Sequence, residues 1–120
     1  MTVKEAYEQM GGTYEDAMGL MRKEERVKKY LGMFLRDESF GKLQAAMESG
    51  DMGAAFAAAH TLKGVCGNLA FTRLRIVVSD LTEDLRNGRD IPHAKQLMPD
   101  VTARYQETVE VIRKFLEGAQ

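Results

Sequence analysis

Two histidines and one cysteine are the side chains here best suited to nucleophilic or metal chemistry. They share no ligand spacing that would hold a metal, so a metal site is not expected. His60 alone stands in a pattern. Helical periodicity places Met52, Ala55, Ala59, Leu62, Cys66 and Leu69 on one apolar stripe. His60 points roughly 140° away from the mean of that stripe, toward solvent. Its same-face neighbours are Gly53, Phe56, Gly64 and Gly67. A glycine inside a helix costs about 1 kcal/mol relative to alanine, and a purely structural helix gains nothing from three of them. A helix whose imidazole must be reached by another backbone or by a phosphoryl group gains access. Lys63, about one turn on, adds a cation within reach of anything bound to that ring.

Other chemistries lack their residues. Gly50, Gly53, Gly64 and Gly67 match neither a nucleotide-binding loop nor a dinucleotide fingerprint, which need a preceding strand. The carboxylates are expected on solvated faces, and His93, beside Pro92 at a helix start, is expected to be exposed. Nothing in the sequence binds ATP. With a formal net charge of −1, neither nucleic acid nor a membrane is an expected partner. Cys66, the one cysteine, falls on the core stripe and forms no internal disulfide. With no long apolar run and no leader pattern, the expected location is cytoplasmic.

The run His60-Thr61-Leu62-Lys63-Gly64, followed by Asn68-Leu69, resembles the signature of histidine-containing phosphotransfer (HPt) domains, the carriers of multistep His–Asp phosphorelays. The order of helices on both sides fits as well. Two positions depart from the pattern. Ala70 stands where the family usually has glycine, at the turn into the next helix, and Val65 stands where a smaller residue is frequent. The resemblance implies reversible phosphoryl exchange between His60 and a receiver-domain aspartate, with Nε2 as the nucleophile. It also implies that the receiver, which can belong to a hybrid sensor histidine kinase, brings the Mg²⁺.

On that reading Lys63 draws the phosphoryl oxygens and Gly64 leaves room for the receiver's loops. Phe56, Gly67, Asn68, Leu31 and Phe34 are the candidate docking surface. Asn68 either hydrogen-bonds locally or holds the helix end, or is simply a polar residue at the helix C-terminus. The chain is expected to be a monomeric phosphocarrier, not an enzyme, without a cofactor of its own. One alternative is a phosphoacceptor loaded directly by a kinase catalytic domain, as in chemotaxis kinases. Ending at Gln120 without such a domain favours a freestanding carrier. Another is a helical adaptor never phosphorylated at all.

The elements that must position this site follow from periodicity and caps. Thr2-Val3-Lys4-Glu5 has the form of a capping box, opening a short helix that ends at Gly11-Gly12. Thr13 is read as the cap of a second, with Ala17, Leu20 and Met21 on its inner side. Both are too short to stand alone and should pack against one end of a bundle. A long pattern over residues 23–49 shows Val27, Leu31, Phe34 and Leu35, then Phe40, Leu43 and Met47 in a shifted phase. A bend or short break is expected at Gly41. Ser49-Gly50-Asp51 stops that helix and caps the one carrying His60. Phe71, Leu74, Val78, Leu81 and Leu85 mark the next, which Asn87-Gly88 ends. Pro92 sits in the first turn of the last helix, which buries Leu97, Val101, Tyr105, Thr108, Ile112 and Phe115, and Pro99 should perturb it.

No stretch alternates with period two, and no internal repeat occurs. At 120 residues, 44% hydrophobic and 29% charged, the chain reads as one soluble domain over residues 1–120. Short loops between long amphipathic segments favour an all-α, up-down-up-down four-helix bundle with extra N-terminal helices.

Overall fold

The computed structural model describes residues 1–118, and these are all-helical, with no strand among them. The helices are α1 (Val3–Met10), α2 (Tyr14–Met21), α3 (Glu24–Phe34), α4 (Ser39–Ser49), α5 (Met52–Asn68), α6 (Thr72–Leu85) and α7 (Ile91–Gly118), with a 3-10 turn at Arg86–Gly88. α5 packs between α4 and α6, and α6 also packs on α7. The 28 residues of α7 rise about 42 Å at helical pitch and account for the 43 Å long axis of the molecule.

Each junction has a local cause. Gly50 takes a left-handed conformation (φ 81°), and the Asp51 carboxylate accepts from the Ala54 N–H at 3.0 Å, starting α5. The capping box at Thr2 and Glu5 is formed. The break in the long pattern falls at Leu35–Glu38, ahead of Gly41, which lies exposed inside α4. There the Asp37 side chain accepts from the Ser39 N–H at 2.9 Å, so a carboxylate restarts the helix and the glycine is not needed. α7 runs unbroken through Pro99, whose position is exposed. Lys95, whose carbonyl loses its helical donor to Pro99, is likewise an exposed residue, within reach of water.

Thr13 does not cap α2 with its side chain; its hydroxyl shares a 3.0 Å hydrogen bond with that of Thr72. This contact is one of several that dock α1 and α2 onto the turn between α5 and α6. The buried Tyr7 hydroxyl donates to the Leu69 carbonyl (2.8 Å), the Thr13 N–H to the Ala70 carbonyl (3.2 Å), and the Arg73 N–H to the Gly11 carbonyl (3.1 Å). Gly12 is required by this approach, since a Cβ there would stand 2.7 Å from the Ala70 carbonyl oxygen. Ala70 itself adopts a left-handed conformation (φ 58°) without being glycine. Burial and these bonds hold it there.

The core joins the helices through a run of aromatic rings. Phe71 meets Tyr7 and Phe34, Phe34 meets Tyr105, and Tyr105 stacks on Phe40 with centroids 4.0 Å apart. The five apolar positions expected on α6 are all buried. On α2 Ala17 and Met21 are buried, with Tyr14 and Met18 partly so; Leu20 is 58% exposed, because α2 is short and covered on one side alone.

Candidate functional site

His60 lies midway along α5, exposed, opposite the buried Ala55, Ala59, Leu62 and Cys66. Gly64, one turn on, is open: a Cβ built there meets nothing within 4 Å, and at Gly53 only the Asp51 carboxylate at 3.8 Å. Gly67 is different. The Arg75 side chain of α6 crosses it, and an added Cβ would stand 3.3 Å from Arg75 Nε. So the small-residue face is clear around His60 and roofed by a cation two turns on. Asn68 is exposed at the last turn of α5, and Val65 is half-buried against the core.

Phe56 stacks against the His60 ring, with centroids 5.9 Å apart and planes 20° from parallel. The guanidinium of Arg86 lies over the same phenyl ring, its Cζ 5.0 Å from the centroid. Glu83 holds Arg86 in turn: Nε donates to Oε2 at 3.1 Å and a terminal nitrogen donates at 3.0 Å. The Arg86 hydrogen bonds are the main reason that the Glu83 carboxyl is held below its ordinary value, with Lys63 among the further positive charges acting on it. Arg86 and Glu83 thus reach the site through Phe56, and Lys63 lies near enough to act on the Glu83 carboxylate. In the sequence Arg86 and Glu83 stand only among the charged residues on the outer side of α6, with nothing to single them out. Their position opposite Phe56 follows only from the antiparallel pairing of α5 with α6.

Leu31 and Phe34 do not belong to this surface. They are 0% and 2% exposed and form part of the core that α3 shares with α7 and the Phe71 ring. The same apolar face of α3 cannot both fill the core and meet a partner. Exposed apolar side chains lie elsewhere, among them Ile76 on α6, 56% exposed, and Leu20 on α2. Leu20 lines a groove of about 590 Å³ with Glu15, Asp16, Gly67 and Arg75, which continues the His60 face toward the N-terminal helices.

Cys66 is buried and unpaired, with its thiol pushed up to about 12, chiefly by burial. His93 is exposed as expected but not isolated. Its Nδ1 lies 2.5 Å from an Asp84 carboxylate oxygen, and its N–H donates to Asp90, which caps α7. The carboxylates of Asp84 and Asp90 thus converge on His93 where separate solvated positions were expected. The partners of this cluster are one another, as in a capped turn.

The helical fold thus presents an open histidine with a lysine in the next turn and a clear glycine beside it. The family model described as "Hpt domain" matches residues 29–117, from within α3 nearly to the end of α7, and the chain belongs to that family. Its role is accordingly histidine phosphotransfer in phosphorelay signalling, and its members interact with receiver domains. α1 and α2 lie outside the matched residues. No curated protein and no solved structure matches the chain significantly. Among the described residues no helix is long and apolar enough to cross a membrane.

Proposed function

We propose that this chain is a phosphocarrier that accepts a phosphoryl group on His60 from a receiver-domain aspartate and passes it to a second receiver. The observation that carries the reading is an exposed imidazole at mid-helix beside a glycine whose Cβ position is empty. In the forward step a neutral imidazole nitrogen attacks the aspartyl phosphate in line. The P–N bond forms as the P–O bond to the aspartate breaks, the carboxylate leaves, and the proton on the other ring nitrogen is free to pass to solvent.

The transition state is loose, so positioning and charge neutralisation supply most of the rate. Lys63 sits one turn from His60, where its ammonium can follow the phosphoryl oxygens. Gly64 leaves the receiver's loops free to close on the ring. Phe56, Gly67 and Asn68 lie on the same side of α5, bordering the contact. The receiver contributes the Mg²⁺ and the acidic pocket, and a receiver of a hybrid sensor histidine kinase is one such donor. The chain works as a cytoplasmic monomer, one up-down-up-down bundle over residues 1–120 with extra N-terminal helices, without autokinase activity.

Incubation with a phosphorylated receiver domain tests this. Label is expected on the wild-type chain, stable to alkali and lost in acid, as a phosphoramidate is. His60→Gln should take none while keeping its melting temperature, because exposed substitutions usually stay within about 0.5 kcal/mol. Label that brief alkali removes, or that His60→Gln retains, would refute the assignment.

A further inference from the structure

The His60 ring rests on an aromatic face. A functional histidine is commonly oriented by a hydrogen bond to its second nitrogen; here Phe56 stacks on the ring at 5.9 Å and 20°. The rotation of an imidazole about its last side-chain bond is intrinsically broad, so an exposed histidine samples many ring planes. The stack narrows that range. The nucleophilic lone pair lies in the ring plane, so fixing the plane fixes the direction of attack.

Phe56 is itself held. Arg86 covers its ring with Cζ at 5.0 Å, and Arg86 is tied by two nitrogens to Glu83, one turn earlier in the chain. The sequence of contacts Glu83, Arg86, Phe56, His60 runs from the end of α6 to the middle of α5. α6 is anchored there by the buried Leu81, Thr82 and Leu85. These contacts link a packed helix to an exposed ring.

Resting on the phosphotransfer reading above, we propose that Arg86 and Phe56 are positioning residues that hold the imidazole plane of His60 for in-line attack. Phe56 then does more than border the docking surface: its main effect is on the transfer step within the complex. Lys63 bears on the phosphoryl charge, whereas the Arg86–Phe56 pair bears on the nucleophile's direction.

The experiment compares Phe56→Ala, Phe56→Tyr, Arg86→Ala and Arg86→Lys in two measurements. The first is the NMR shift of the two His60 ring C–H protons in the free chain, which a stacked phenyl ring displaces. The second is transfer rate against concentration of a phosphorylated receiver domain, with circular dichroism confirming that each variant is folded. Phe56→Ala should abolish the ring displacement and lower the saturated rate about tenfold, with half-saturation changed less than about twofold. Phe56→Tyr keeps an aromatic face and should retain both. Arg86→Ala should reduce the displacement and slow saturated transfer by about threefold, and Arg86→Lys, which keeps the charge, should recover part of each.

A loss confined to half-saturation would make Phe56 a docking residue and overturn the proposal. So would an Arg86→Ala protein with wild-type ring shifts and rate. If the wild-type chain takes no label from any receiver, the phosphotransfer reading falls and this inference with it. If it is labelled and Arg86→Ala is unchanged, only the inference falls.

Discussion

Gly64 and Lys63 are neighbours in sequence with separable duties. The space beside Gly64 is empty, so Gly64→Ala adds a methyl without a clash and removes the freedom of glycine from mid-helix. Stability should rise by about 0.5–1 kcal/mol. Gly64→Gln should also stabilise, yet its side chain stands about 5–6 Å from the base of His60, where a receiver must approach. Transfer should fall steeply for glutamine and less for alanine, chiefly through a higher half-saturating receiver concentration. Lys63→Ala adds no obstruction and should instead lower the saturated rate. Thermal melts with transfer rates across receiver concentrations separate the two roles. A more stable, fully active Gly64→Gln would deny the glycine any part in docking.

The helices themselves are held by short local devices, and the turn between α5 and α6 carries the most of them. Ala70 takes the left-handed conformation there, which penalises any side chain. Ala55 is equally a buried alanine, but its backbone is that of the α5 interior. The same substitution should therefore have different effects at the two places. Ala55→Gly loses helix propensity and a buried methyl, together about 2 kcal/mol. At Ala70→Gly the relief of backbone strain offsets the lost methyl, and stability should stay within about 0.5 kcal/mol of wild type or rise. Paired urea titrations of the two variants measure the difference directly. Equal losses would show that the strain at Ala70 is negligible.

For the molecule as a whole, burial of groups that ionise at high pH sets an alkaline limit. The Cys66 thiol is raised from an ordinary 9.0 to about 12, and Tyr7 and Tyr105 are raised as well, all three first by burial. Above pH 9 the unfolded chain releases the Cys66 proton while the folded chain keeps it, so stability falls with rising pH. The contribution is whole below pH 9 and is lost progressively up to about 12. One such group gives a slope approaching about 1.4 kcal/mol per pH unit within that window. Denaturation midpoints of wild type and Cys66→Ala from pH 8.5 to 10.5 should converge as pH rises, because only the wild type carries this slope. Parallel pH dependences would mean that the thiol titrates alike in both states.

Much of this architecture is local and was legible without coordinates. The Thr2–Glu5 box, the Gly50-Asp51 junction, the α6 stripe and the outward direction of His60 each follow from spacing within one helix, because helical geometry alone sets which residues share a face. What lay between helices was not legible. An apolar face on α3 announces burial or docking equally well, and only packing against α7 and Phe71 assigned Leu31 and Phe34 to the core. Arg86 is far from Phe56 in sequence, and the antiparallel course of α6 beside α5 brings the guanidinium onto the ring. Arg75 over Gly67 and Asp84 beside His93 likewise join residues of different helices. Periodicity places a side chain around its own helix axis; the rotation and offset of the neighbouring helix, which packing alone decides, determine what it meets.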